Sequence, residues 1–364
     1  FWADQDRAVR DPWAPDCPQV PLGIAMSREC VFAELGVPED WHRLIHDDDY
    51  RVQLERRYND AAEAVVGRRL LGEWKPDPAL RWPPIKELHD IFDGKSVWHN
   101  ESYWLQQAAH GEDELRALLD RVERRLEDLR AFMLPPNWGE EKARILSAGG
   151  GVPRYRDQRG PVTFAMSLYG VENLIFLIAD QPDLAARFRD LILRAMLERA
   201  RVLDEEAGLA PAAAPRGFYF CDDNCALLNA DMYEFFGYPV LKGVFDRYSP
   251  AAGDRRGQHS DSDMAQHLPT LGRLGLTTVN FGPNLTVRQI RERLPKAVIW
   301  GQLAPFTFSR NEEVNLVAEC LRDCEMAREK RGLVLMTAGS INNGSRLTGM
   351  RLLMAAIQEH GRYA

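Results

Sequence analysis

Ala297-Val298-Ile299-Trp300, continued by Gly301-Gln302-Leu303-Ala304-Pro305, is the stretch on which the fold turns. Four apolar residues, all but one β-branched or aromatic, are too few for a helix and are closed off by Gly and Pro. A short, unbroken apolar run is what a parallel strand buried on both faces requires. A helical pattern over 312–331 follows. The same unit recurs on either side. Residues 217–220 (Gly-Phe-Tyr-Phe) end at Cys221-Asp222-Asp223, with a helix through Tyr233. Residues 256–259 end in His259-Ser260-Asp261, with a helix over 264–274. Residues 277–280 precede a helix over 287–293. Residues 333–336 end in Thr337-Ala338-Gly339-Ser340 and precede a helix over 349–359. Five consecutive strand–helix units predict an α/β fold with a parallel sheet.

Towards the N-terminus the pattern predicts three more strands, at 20–24, 142–146 and 160–165. That brings the total to about eight, the number a (β/α)8 TIM barrel needs. No GxGxxG follows the first strand, which leaves a Rossmann fold as the weaker alternative. The whole of 1–364 is expected to form one barrel domain, with 25–140 as a helical and irregular elaboration. Within it, helices are expected over 28–35, 49–66 and 112–132. Residues 72–98, with four prolines and Trp74, Trp82 and Trp98, read as an irregular excursion too apolar to stay solvated. Helices over 171–178 and 184–207 complete the pattern.

Composition narrows the function. A hydrophobic share of 45% and a charged share of 27% are ordinary for a globular chain. The net charge of -8 argues against a nucleic-acid surface. No apolar run is long enough to span a bilayer, so no membrane role is expected. The six cysteines (17, 30, 221, 225, 320 and 324) show no CxxC spacing, which favours free thiols in a reducing cytoplasm over a zinc-thiolate site. Phe1 is not a natural initiator, so residues upstream are expected.

His259 and Asp261 lie two apart at the end of a strand, where alternation turns both side chains to one face. An imidazole beside a carboxylate suits an acid/base pair or two ligands of a divalent metal. The plainer alternative is that Ser262 or Asp263 caps the next helix and His259 only packs. Barrel chemistry sits at the C-terminal ends of strands, and those ends also carry Asp222, Asp223, Asn280, Gln302 and Ser340. Gathered at one mouth, they define the candidate site: His259, Asp261, Asp222 and Asp223 as catalytic groups, His259 and Asp261 also as metal ligands. Arg256, Asn280, Gln302, Ser340 and Tyr155 are the substrate-binding candidates, with Arg256 suited to a carboxylate. Arg154 and His99 are weaker candidates. One of Asp222 and Asp223 is equally expected to cap the helix that follows.

Several motifs, in order, resemble the uroporphyrinogen decarboxylase/cobalamin-type methyltransferase superfamily. Gly160-Pro161-Val162-Thr163 with Gly170 and Asp180-Gln181-Pro182 is similar to its "GP…G…dP" run. Asp222-Asp223 to Tyr233 is similar to its "DD…y" segment, and His259-Ser260-Asp261 to its strand-end "HsDG" motif. Trp300-Gly301-Gln302-Leu303-Ala304-Pro305 resembles "GnldP", and 337–363 resembles the closing "GC…N…G.Y" segment. The match covers about 140–364 and is poor in the N-terminal third. The resemblance implies a TIM barrel, a small-molecule substrate, a homodimer, and one of two chemistries. The first is transfer of a methyl group from a small substrate to a corrinoid held by a partner protein, with zinc or another divalent metal. The alternative is decarboxylation of a small carboxylic acid. A non-catalytic ligand-binding barrel is the reading from a different class. Two departures stand out. Ala25-Met26-Ser27-Arg28 stands where the decarboxylases carry an arginine-rich "MRQAGR". Asp261 and Ser340 stand where the thiol-activating methyltransferases carry zinc-binding cysteines.

Overall fold

The structure, a computed structural model, describes residues 1–24 and 26–363; Ala25 of the 25–28 stretch lies outside the described residues. An antiparallel hairpin, β1 (Lys95–His99) and β2 (Ser102–Gln106), stands apart from a six-stranded sheet of β3 (Asp157–Arg159), β4 (Phe218–Cys221), β5 (Arg256–Ser260), β6 (Thr278–Phe281), β7 (Val298–Leu303) and β8 (Leu333–Thr337). The sheet order follows the chain order. Parallel register pairs Asp157 with Tyr219, Thr278 with Val298, and Ile299 with Leu333. The chain divides into two compact units, Phe1–Lys75 with Gln258–Ala364, and Pro76–Gly257, with the division inside β5.

In the first unit, β6, β7 and β8 alternate with helices Val287–Arg293, Glu313–Glu329 and Leu347–His360. Leu333, Val334 and Leu335 of β8 are fully buried, as are Val279 and Ile299. The unbroken apolar runs are thus strands covered on both faces, as expected. Helix Asp48–Val66 starts where Asp47 accepts from the Tyr50 N–H, and ends at Gly67, whose φ of 73° suits a left-handed cap.

The segment 20–24, expected to be a strand, forms only a single parallel bridge between Leu22 and Leu335. On one side Leu335 N–H donates to Pro21 O, and Gly23 N–H to Leu335 O, each at 2.8 Å. On the other side a side chain replaces the next strand. Gln5 Nε2 donates to Leu22 O at 2.6 Å, and Leu22 N–H donates to Gln5 Oε1 at 2.8 Å. A primary amide can present one N–H and its C=O side by side, so it satisfies both backbone groups of Leu22. Pro21 lacks the N–H that a longer ladder would need.

The second unit is mainly helical. Helix Pro182–Glu206 packs against Glu112–Glu127 and Ala230–Tyr248 around Phe92, Phe164, Phe188 and Phe236. Two expected strands are helices here. Residues 142–146 lie in Trp138–Ser147, where Trp138 and Ile145, seven apart, bury one helical face and Arg144 pairs with Glu141. Residues 160–165 open helix Pro161–Tyr169, in which eight of nine residues are buried. An apolar run buried all round has no visible period, so periodicity does not separate helix from strand. Pro161 in the first turn, with its pre-set φ, is the signal that favours the helix. The sequence pattern does not foresee the short helices Trp2–Ala8, Trp41–His46 and Pro305–Ser309, nor β3 and the hairpin. β3 is the polar Asp157-Gln158-Arg159, and the hairpin begins within the excursion read as irregular.

Among the described residues none of the six cysteines forms a disulfide. Among the described residues no single helix is long and apolar enough to cross a membrane.

Candidate functional site

In the first unit, the carboxyl ends of β5, β6 and β8 bring His259, Asp261, Asn280, Gly339 and Ser340 together. Asn280 is the hub. Its Nδ2 donates to Trp300 O and to Thr337 O, the latter at 3.0 Å. Its Oδ1 accepts from Gly339 N–H at 3.1 Å. The amide is therefore oriented by three backbone groups from β7, β8 and the loop after it. Oδ1 also lies 2.7 Å from His259 Nδ1. An oxygen can only accept, so Nδ1 carries a proton.

That proton decides the other end of the ring. In a neutral imidazole protonated on Nδ1, Nε2 bears a lone pair. His259 Nε2 lies 3.2 Å from Asp261 Oδ1, also an acceptor. Two lone pairs facing at this distance repel unless something positive lies between them. A second ring proton, making an imidazolium–carboxylate pair, meets this need; so does a cation bound to both atoms.

Asp261 is held from its far side. Ser340 N–H donates to Oδ1 at 2.7 Å, and Ser340 Oγ lies 3.4 Å from Oδ2. Burial works to raise the Asp261 carboxyl, but the hydrogen bonds from His259 and Ser340 outweigh it and hold the group below its ordinary value. Gly339 makes this wrapping possible. Its φ is 95°, and a Cβ there would overlap Asp261 Oδ1. Gly339 had no place among the residues expected from sequence. Its signal was a glycine in the turn directly after a strand, beside Ser340.

Gln302 has a different place. It is buried, and its Nε2 donates to Gly282 O and Leu285 O at 3.2 and 2.8 Å. It clamps the loop after β6. Asp323, fully buried, accepts from Gln302 N–H at 3.3 Å and from Arg322 Nε at 2.8 Å.

The second unit holds the other predicted residues. Asp222 is fully buried beneath the start of helix Pro161–Tyr169, where its Oδ1 accepts from Thr163 N–H at 2.8 Å. Gly160 leaves the room, since a Cβ there would overlap the carboxyl. Asp222 Oδ2 is buried with no hydrogen-bond partner among the described residues. Desolvation, only partly offset by the Thr163 and Val162 N–H groups, pushes Asp222 up to about 7. Asp223 follows it, ahead of the short turn Asn224–Leu227. Tyr155 is buried, and its hydroxyl donates to Gln158 Oε1 at 2.9 Å. Arg256 donates to Ser249 O through Nε and a terminal nitrogen, at 3.0 and 2.7 Å. Arg154 is exposed, and His99 lies exposed at the tip of the hairpin.

No protein-family model and no curated protein sequence matches this chain. Among solved structures it is similar to a methyltransferase from Methanosarcina mazei, with a TM-score of 0.54 and 16% identity over 92% of this chain and 99% of that one. At that identity the likeness is one of fold. The chain thus shares the α/β fold of a methyltransferase over nearly its whole length.

Proposed function

We propose that this chain is a methyltransferase acting on a small methylated substrate, with His259 and Asp261 at its reacting centre. The observation that carries the reading is the close approach of His259 Nε2 and Asp261 Oδ1, 3.2 Å apart. Asn280 fixes the tautomer of the histidine from behind. A histidine whose second nitrogen donates to a fixed oxygen is the usual arrangement behind a metal-binding or proton-donating imidazole. The shared fold with a methyltransferase and the resemblance around His259-Ser260-Asp261 point the same way.

His259 Nε2 and Asp261 Oδ1 fit a divalent cation, being one imidazole and one carboxylate donor with no thiolate. Such a donor set suits zinc, manganese or iron and does not select among them. The ion would supply Lewis acidity towards the heteroatom that leaves the methyl carbon. The residues of the chain do the rest. Asn280 holds the imidazole in one tautomer. Ser340 and Gly339 hold the carboxylate so that Oδ1 faces the histidine. In the transfer the bond from the methyl carbon to its heteroatom breaks, and the heteroatom keeps the electron pair. Where Nε2 carries the second ring proton and no ion, His259 donates that proton to it. The methyl group passes to a nucleophilic acceptor, which the motif resemblance suggests is a corrinoid on a partner protein. The expected TIM barrel, the cytoplasmic location and the homodimer belong to this proposal too.

The test is elemental analysis of the purified chain and of His259→Ala and Asp261→Asn, with methyl transfer from small methylated amines, ethers and thioethers to free cob(I)alamin. The reading expects a stoichiometric divalent metal that both substitutions remove, together with methyl transfer. Carbon dioxide released from a small acid without methyl transfer would favour the decarboxylase instead. Ligand binding unchanged in His259→Ala, with no turnover, would favour a non-catalytic barrel.

A further inference from the structure

The second unit contains a cavity of about 290 Å³ that none of the chemistry above uses. One wall is the hairpin. Ser96 stands opposite Leu105 in the antiparallel register, and Tyr103 is two residues from Leu105. Alternation therefore turns all three to one face, and all three line the cavity. The opposite wall is the carboxyl end of β3, Gln158 and Arg159, with Phe164 from the following helix. Ligands of parallel α/β sheets bind at that end of the strands.

The polar groups lining this wall are donors. Tyr155 donates to Gln158 Oε1, which occupies the acceptor end of the amide; Nε2 makes no hydrogen bond among the described residues. Arg159 forms no ion pair among the described residues. Among the described residues its guanidinium makes a single long hydrogen bond, 3.5 Å, to Ser167 Oγ. Ser96 adds a hydroxyl. Among the described residues Glu87 is the one carboxylate lining the cavity; it lies 3.5 Å from His89 Nδ1 and makes no pair with Arg159.

We infer that this cavity is a binding site for the anionic head of a small molecule, a carboxylate or a phosphate, held by the Arg159 guanidinium and the Gln158 Nε2. The planar fork of an arginine matches either anion with two parallel hydrogen bonds. The apolar face of Leu105 and Phe164 receives the body of the ligand. The inference rests on the second unit alone and does not depend on the chemistry proposed for His259.

The experiment titrates the whole chain with succinate and, separately, inorganic phosphate, followed by calorimetry. At least one should bind with a Kd on the order of 1 mM or tighter. Arg159→Gln should weaken that binding by roughly 10- to 100-fold, the range for losing charge-assisted hydrogen bonds. Arg159→Lys should keep part of it. Ser96→Ala should weaken it by about 3-fold. Arg154→Gln, which removes an exposed charge that does not line the cavity, should leave it unchanged. Arg159 is exposed, so the thermal midpoint should not move in its variants. Preference between the two anions identifies the head group. No binding of either anion, or equal loss in Arg154→Gln and Arg159→Gln, overturns the inference.

Discussion

Replacing Asp222 by Asn should remove a pH dependence of stability that a surface aspartate would not have. The carboxyl is fully buried, its Oδ2 has no hydrogen-bond partner among the described residues, and burial pushes it from 3.8 up to about 7. A raised value means that the folded chain holds this proton while the unfolded chain has already lost it. Stability from this group is therefore fully present below pH 3.8, falls as pH rises towards 7, and is flat above. The shift, 7 minus 3.8, corresponds to about 4 kcal/mol at 1.36 kcal/mol per unit. Asparagine keeps the oxygen that accepts from Thr163 N–H and has almost the same shape, but it cannot ionise. Urea unfolding of both proteins at pH 4.5, 6, 7 and 8, followed by a probe in the second unit, gives the difference at each pH. Other titrating groups cancel in that difference. The variant should gain on the wild type by about 1.4 kcal/mol per pH unit up to pH 7, and by nothing further at pH 8. In the infrared, the wild type should show a protonated-carboxyl stretch at pH 6 that is missing in Asp222→Asn. A difference that stays constant from pH 4.5 to 8 would refute the reasoning, because Asp222 would then be ionised throughout.

Two further outcomes follow from the His259 cluster, beside the metal and anion experiments above. Asn280→Ala removes four hydrogen bonds at once and strands buried backbone groups at Trp300, Thr337 and Gly339. It should cost about 3 kcal/mol of stability and cut turnover more than substrate affinity, since the His259 tautomer is no longer fixed. Proton NMR of the His259 ring in the two proteins reports the tautomer directly, and an unchanged Nδ1–H signal would contradict the role given to Asn280. Gly339→Ala should cost roughly 1–2 kcal/mol for a left-handed backbone alone. It should also displace Asp261, so that metal content falls even where thermal unfolding shows the chain still folded; full metal content in that variant would count against the wrapping of Asp261 by Gly339 and Ser340.

What the sequence by itself determined is the rhythm from residue 217 onwards. Short apolar runs bounded by Gly, Pro and Asp have one stable use in a chain of this length, as buried parallel strands, and β4 to β8 begin and end within a few residues of the expected positions. Period-2 alternation also sufficed to put His259 and Asp261 side by side. Only the tertiary structure decided the rest, because it depends on partners distant in the chain. Residues 160–165 open a helix buried nearly all round, which has no period to read, whereas 142–146 bury only Ile145, on one face of a helix that begins at Trp138. The edge at Leu22 is closed by Gln5, a side chain 17 residues away. Asp222 has the composition of a site residue, but its carboxyl is sealed under a helix start, so its charge state is a matter of burial. The unshared proton of His259 was settled by an asparagine 21 positions on, itself oriented by the backbone of two other strands. A sequence names the donors and acceptors; which of them face each other, and hence where a positive charge is needed, follows only once the chain is folded.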